Sequence, residues 1–389
     1  MNEKKINLKL ILPVLLSFFV MSFVDMVGIG VDRVSRDMSL SNTVAQLIPS
    51  AAFLWFFILS VPVGIIQSRI GKKAMLNLGM AVTGLGLIVP FINYTFPMVL
   101  TGFALLGIGN TIVQVSANPL LVDVVPGSKA SSFLSFSQFV KAIGSMIAPV
   151  LAGFFAGYFG DWKLLFLVFG IVSVLSVLWL ASVKIEESNI SEKKASLASS
   201  FALLGNPYVL MMVLSIFLVV GIDVGFNSFS GKFLASHFGI DPVAAESGRS
   251  VYFLGRMLGT FAGALILTRL SSNKGFTYSA LLSIVAIGVF LILKSAAVAW
   301  VLVFIIGLGV ANIFPLVFSL TIQRYPERGN EISGLMMMAI SGGAVIPPLM
   351  GWLSDKLNNV VAGMAVLILC AAYLVIVSFV CRSKGEQVN

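Results

Sequence analysis

Between Leu10 and Cys381 one pattern recurs twelve times: an apolar run followed by a short polar break. Each run has about 20 residues or more, enough to cross a hydrocarbon core of roughly 30 Å. The runs cover 10–31, 43–66, 74–93, 97–121, 131–157, 163–183, 207–235, 243–269, 275–293, 297–322, 330–353 and 359–381. In hydrocarbon every backbone N–H and C=O must be paired within its own segment, so each run is expected to be an α-helix. The expectation is an all-α membrane protein with twelve transmembrane helices. Only 11% of residues are charged, against about 25% in a soluble domain, so lipid is the expected solvent for most of the surface.

The formal charge of +9 does not point to nucleic acid. With the N-terminus in the cytoplasm, sixteen Lys and Arg residues fall on that side and seven on the other: Arg33, Arg36, Lys163, Lys232, Arg249, Lys294 and Lys356. This positive-inside bias puts both termini in the cytoplasm and explains the basic balance. The first run follows Lys4, Lys5 and Lys9, but it is too long for a signal peptide, carries Asp25 and has no small-residue cleavage site. It is read as a retained span. Cys370 and Cys381 share the last span and His237 is read as a loop residue, so neither a disulfide framework nor a metal site is expected, and no cofactor is implied.

The polar stretch VKIEESNISEKKASLASS, 183–200, divides the run series in half. The expected organisation is a six-helix bundle over 1–183, a cytoplasmic linker over 184–206 and a second six-helix bundle over 207–389. The halves align at an offset of 198–200: Arg69 with Arg269, GIG at 107 with GLG at 307, Pro149 with Pro347, and Asp25 with Asp223. Duplicated helical halves are the architecture of secondary transporters, with substrate bound where the halves meet. No GxxxxGK[ST] phosphate loop occurs, so an ion gradient is the expected energy source.

The loop GIIQSRIGKKAML resembles the major facilitator pattern G-x-L-a-D-R-x-G-R-K at Gly64, Arg69, Gly71, Lys72 and Lys73, with Ser68 at the Asp position. QVSANPLL, GRMLGTFAGALILTRL, FPLVFSLTI and SGLMMMAISGGAVIPPLMGWLSD look like the fucose/galactose/glucose proton symporters of that superfamily. The resemblance implies the major facilitator fold, with two pseudo-symmetric bundles. It also implies a cytoplasmic gating loop made of the matched residues and Arg269. By position, the family's first-span acid is similar to Asp25, Gln114 stands where several members carry an acid, and Gln138 is kept. Lys141 occupies the place of an Asn thought to contact sugar, and Asp223 lies at a family Glu.

Asp25, Lys141, Asp223 and Arg256 lie deep within their runs; Asp25 is about 22 Å into the first at 1.5 Å per residue. An ionised group at that depth costs at least about 2.5 to 3.5 kcal/mol and normally faces a cavity or a partner. Asp25 is the first candidate for proton coupling, with Lys141 and Asp223 beside it; each also reads as a permanently paired structural charge. Lys141 either pairs with Asp25 or another cavity acid until protonation of that acid frees it to meet substrate, or it snorkels or simply neutralises a buried carboxylate. Arg256 either holds a substrate oxygen or pairs with Asp223. Asn110, Gln114, Asn118, Gln138, Asn227 and Asn312 suit hydroxyl recognition, because amides both donate and accept. Trp55 and Phe56 are candidates to stack on a sugar face, and Gly342 to Pro348 to kink a gate.

Together these features predict a proton-coupled symporter in the cytoplasmic (inner) membrane, importing a small polar solute, most simply a monosaccharide, as a monomer. A carrier for a sugar acid or other carboxylate stays open because of Lys141 and Arg256, and a drug-type efflux carrier because of the many Met and Phe residues. No nucleophile with a base at catalytic spacing is visible, so an enzyme is not expected.

Overall fold

The computed structural model describes residues 6–126, 130–187, 197–266 and 271–385. Among them there is no strand, and eleven segments, from Leu8–Asp37 to Val360–Cys381, are long and apolar enough to cross a membrane. The remaining run holds a short helix, Pro242–Glu246, and then Gly248–Ile266, which carries Arg249 and Arg256 and ends against undescribed residues. In the polar linker, residues 184–187 have no regular structure, and helix is found at Leu197–Ala202 with a 3-10 turn at Leu203–Gly205.

By contact the chain forms two units, Met1–Met26 with Leu54–Lys194, and Val27–Phe53 with Ala195–Asn389. The first unit begins with α1 (Leu8–Met21) and a 3-10 turn, Ser22–Met26. The second receives α2 (Val27–Asp37), α3 (Asn42–Ala45) and the start of α4 (Leu47–Ile70), whose later part belongs to the first. The first unit continues with α5 (Lys72–Ile92), α6 (Phe96–Val124), α7 (Ala130–Phe159) and α8 (Leu164–Ser182). The second adds α9 (Leu197–Ala202), α10 (Pro207–Phe238), α11 (Pro242–Glu246), α12 (Gly248–Ile266), α13 (Ser272–Ile292), α14 (Ala296–Ala311), α15 (Ile313–Arg324), α16 (Gly329–Met338), α17 (Gly342–Lys356) and α18 (Val360–Gly385).

In lipid, helices associate through close packing rather than hydrophobic burial, which favours glycine at contacts. On α5 and α6, Gly86 faces Gly102 and Gly79 faces Gly109 across an antiparallel pair. A Cβ on Gly86 would lie 2.7 Å from the Gly102 oxygen, and one on Gly79 2.9 Å from the Gly109 oxygen.

Among the described residues four of the eleven spans are interrupted, one of them at Gln46 between α3 and α4. The first changes to 3-10 winding at Ser22–Met26, and the amide of Asn110 on α6 donates to the Met21 carbonyl there at 2.6 Å. α14 and α15 are separated at Asn312, and α16 and α17 by a 3-10 turn at Ala339–Ser341. This last break stands just before Gly342, not at Pro347 and Pro348, which lie inside α17. Gly342 is required by proximity: a Cβ there would collide with the Phe217 carbonyl of α10.

Candidate functional site

In the first unit, Asp25 stands in the 3-10 turn of the first span, and Ser145 of α7 donates its Oγ hydrogen to Asp25 Oδ2 at 2.5 Å. Gly144 lets the helices meet there, since a Cβ would overlap the Ser22 hydroxyl. Gln138, Lys141 and Ser145 are spaced three and four apart, so α7 carries them on one face. Asn110, Gln114 and Asn118 likewise share a face of α6, where Gln114 Nε2 donates to Asn110 Oδ1 at 2.9 Å.

Asn110 is thus committed to the Met21 carbonyl and to Gln114. Asn118, Gln138 and the Lys141 ammonium make no hydrogen bond among the described residues. Asn118 and Lys141 are half-buried and Gln138 is exposed. Lys141 has no carboxylate within 4 Å among the described residues, so the expected pairing with Asp25 is not formed; a hydroxyl one helical turn further on takes that place.

In the second unit Asp223 of α10 is held from two sides by α12. Tyr252 donates to its Oδ1 at 2.7 Å and Arg256 to its Oδ2 at 2.6 Å. The structural alternative for Arg256, pairing with Asp223, is therefore what the fold forms. Asn227, four residues after Asp223, is 3% exposed and accepts Arg249 Nε on its backbone oxygen at 2.7 Å. Asn312 turns its amide onto the Gly259 oxygen of α12 at 2.8 Å, where it closes the break between α14 and α15. Phe56 is fully buried and has no face to offer a sugar, while Trp55 is half-buried. His237, expected in a loop, belongs to the last turn of α10, stacked on Phe233.

The gating loop is a capped helix start. Gly71 takes φ +94°, and Glu187 accepts from the backbone N–H groups of Lys72 and Lys73 at 2.5 and 3.1 Å, a carboxylate on the positive end of α5. Lys72 is 4% exposed and pairs with Asp123 of α6 at 2.6 Å. Lys73 Nζ donates to the Val183 oxygen at 2.6 Å. Arg69 is exposed, Gly64 has open space beside it, and Arg269 lies outside the described residues.

Sequence reasoning missed a second charged cluster, inside the second unit. Arg249, expected on the outer side of the membrane, is fully buried and pairs with Asp32 of α2 at 2.6 Å. Arg33 reaches Glu246 at 2.8 Å and Arg36 binds the same carboxylate. Asp355 of α17 accepts from Asn42 Nδ2 at 2.5 Å and from the backbone and hydroxyl of Thr43 at 2.6 and 2.7 Å. Gly28 and Gly231 clear the way for Arg249, since a Cβ on either would crowd its guanidinium. The signal was present: three arginines on the side that the positive-inside bias leaves poor in cations.

The family profile of the Major Facilitator Superfamily matches residues 14–348. A glucose/galactose transporter of Brucella abortus is 26% identical over 381 residues, covering 92% of this chain and 90% of that protein. The L-fucose-proton symporter of Escherichia coli is 22% identical, covering 87% and 85%. Among solved structures, a D-xylose-proton symporter superposes with a TM-score of 0.75 at 16% identity, over 97% of each chain.

Proposed function

Because the chain belongs to the Major Facilitator Superfamily and is a multi-pass membrane protein, we propose that it is a proton-coupled symporter importing a monosaccharide by alternating access. In this reading it works as a monomer in the cytoplasmic membrane, with both termini inside and with bundles 1–183 and 207–389 joined by the linker 184–206. The relatives that are a glucose/galactose transporter and a fucose-proton symporter support the substrate class and the coupling ion.

The observation that carries the reading is the setting of Asp25: a carboxylate at a break in a membrane helix, held by the Ser145 hydroxyl, one turn from a lysine that no carboxylate engages among the described residues. Ionised at that depth it costs at least about 2.5 to 3.5 kcal/mol, so taking up a proton eases reorientation of the loaded carrier. Gln138, Asn118 and Gln114 then supply donors and acceptors for sugar hydroxyls, with Lys141 as a further donor. Asp223 is the second candidate for the proton, since protonation there would release Arg256 toward solute.

Uptake into proteoliposomes tests this, using labelled D-glucose, D-galactose, L-fucose and sugar acids with and without an inward proton gradient. A neutral sugar should accumulate only with the gradient. Asp25→Asn should abolish accumulation yet keep counterflow exchange; full accumulation by that variant removes Asp25 from the coupling role. A second reading, transport of an anionic solute, is favoured by the Lys141 ammonium, and uptake of a sugar acid in place of every neutral sugar would establish it.

A further inference from the structure

Ser145 of α7 is 2% exposed, and its Oγ stands between two acceptors. Asp25 Oδ2 lies 2.5 Å away, and the Lys141 carbonyl oxygen, one turn back on the same helix, lies 3.2 Å away. A hydroxyl has one hydrogen and two lone pairs, so it donates well to only one of these oxygens at a time. The charge on Asp25 decides which.

An ionised Asp25 only accepts, and the serine hydrogen then points to Oδ2. With a proton on Oδ2 the acid has a hydrogen of its own, and two hydrogens do not fit between oxygens 2.5 Å apart. The acid then donates to Ser145 Oγ, and the hydroxyl rotates about its C–O bond toward the Lys141 oxygen, a bond that serines inside helices make. The proton stays on Asp25, no covalent bond of the serine breaks, and no heavy atom has to move.

The surroundings leave this duty to Ser145. Ser22, in the same 3-10 turn, donates to the Phe19 oxygen at 2.6 Å. Of the helices packed against the turn, α8 brings no charged residue, and α1, α6 and α7 bring Lys9, Asp123 and Lys141. Lys9 lies sixteen positions before Asp25, Asp123 pairs with Lys72, and Lys141 has no carboxylate within 4 Å among the described residues. On α2, which continues from the turn, Asp32 pairs with Arg249, Arg33 and Arg36 pair with Glu246, and Asp37 ends the helix.

We propose that Ser145 is the positioning residue of the coupling site, donating to Asp25 Oδ2 while the acid is ionised and accepting from it once a proton is bound there. Both states then hold the carboxyl in one place, so loading and release need no repacking. The inference rests on the reading of Asp25 as the proton site. The bond to the carboxylate is charge-assisted and about twice as strong as the neutral bond that replaces it, so Ser145 also sets how readily the proton is taken.

Uptake of labelled D-glucose, D-galactose and L-fucose into proteoliposomes of the full chain tests it, with external pH varied at fixed internal pH and counterflow exchange measured alongside. Ser145→Ala deprives the ionised state of its stronger bond, so the alkaline limb of uptake should move up by about 0.5 to 1 pH unit while counterflow is kept. Ser145→Thr keeps the hydroxyl and should return the limb to its place. Difference infrared spectra between acid and alkaline samples add a signature. The carboxyl C=O band that Asp25→Asn abolishes should shift in Ser145→Ala and hold its position in Ser145→Thr. An unmoved limb or band in Ser145→Ala, or the same shift in Ser145→Thr, overturns the inference and leaves the carrier reading intact. Loss of counterflow in Ser145→Ala also overturns it, by making the hydroxyl a structural fastening. Full accumulation by Asp25→Asn, or no uptake of any of the three sugars, removes the underlying reading as well.

Discussion

Lys72 and Asp123 pair between α5 and α6, consecutive helices of one unit, whereas Asp32 and Arg249 meet across 217 positions of sequence. The first cluster is closed by Glu187 on the start of α5, a residue of the same unit. The second ties the 27–53 segment, which is joined at both ends to the first unit, onto α10, α12 and α17. A local cluster can survive every step of a transport cycle. A cluster that holds a connecting segment to a distant part of the chain has to open if the halves move apart as proposed. Charge suits that duty: ion pairs hold when dry, yet hydrated and separated they give up only about 0 to 1 kcal/mol, whereas apolar groups exposed to water lose more.

The contrast can be broken by mutation. Asp123→Ala removes the carboxylate from the buried Lys72 ammonium and should cost about 3 to 5 kcal/mol, read as a large fall in thermal stability in detergent. Access to the 27–53 region should not change; a rise there would mean that the two clusters are coupled. Glu246→Gln removes the anion shared by Arg33 and Arg36, with a smaller loss of about 1.5 to 3 kcal/mol. Its mark is a rise of about tenfold or more in labelling of a Ser228→Cys reporter by a membrane-impermeant maleimide. Ser228 is 1% exposed, and Cys370 and Cys381 are both buried, so background is low. Unchanged labelling would place the second cluster with the first, as a permanent fastening. Gly71→Ala should cost about 1 to 3 kcal/mol, because φ +94° with ψ 154° is backbone that glycine alone adopts readily and the new methyl would crowd Glu187, and it should leave maleimide labelling unaltered.

The helical membrane architecture was legible because the bilayer imposes it through run length and composition alone. The Asp223–Arg256 pair was legible for a related reason: two opposite charges deep in neighbouring runs need each other. Ser145 was not, since serine is common in membrane helices and its hydroxyl is distinguished only by meeting Asp25. Arg249 and Lys72 were read as charges at the membrane's two sides because hydropathy sees a polar residue near the end of a run and cannot see Asp32 or Asp123 packed against it. The winding at Ser22–Met26 contains neither proline nor glycine, so no local signal marks it, while the one at Ala339–Ser341 is marked only by Gly342 and Gly343 directly after it.

The backbone contacts of α5 and α6 bear on how force would travel. Where Gly86 meets Gly102 and Gly79 meets Gly109, the two backbones approach directly, with Thr83, Pro90, Leu105 and Ile112 packed beside the contacts. Such close packing leaves the two helices little room to slide past one another along the roughly 30 Å from Lys72 to Ile92.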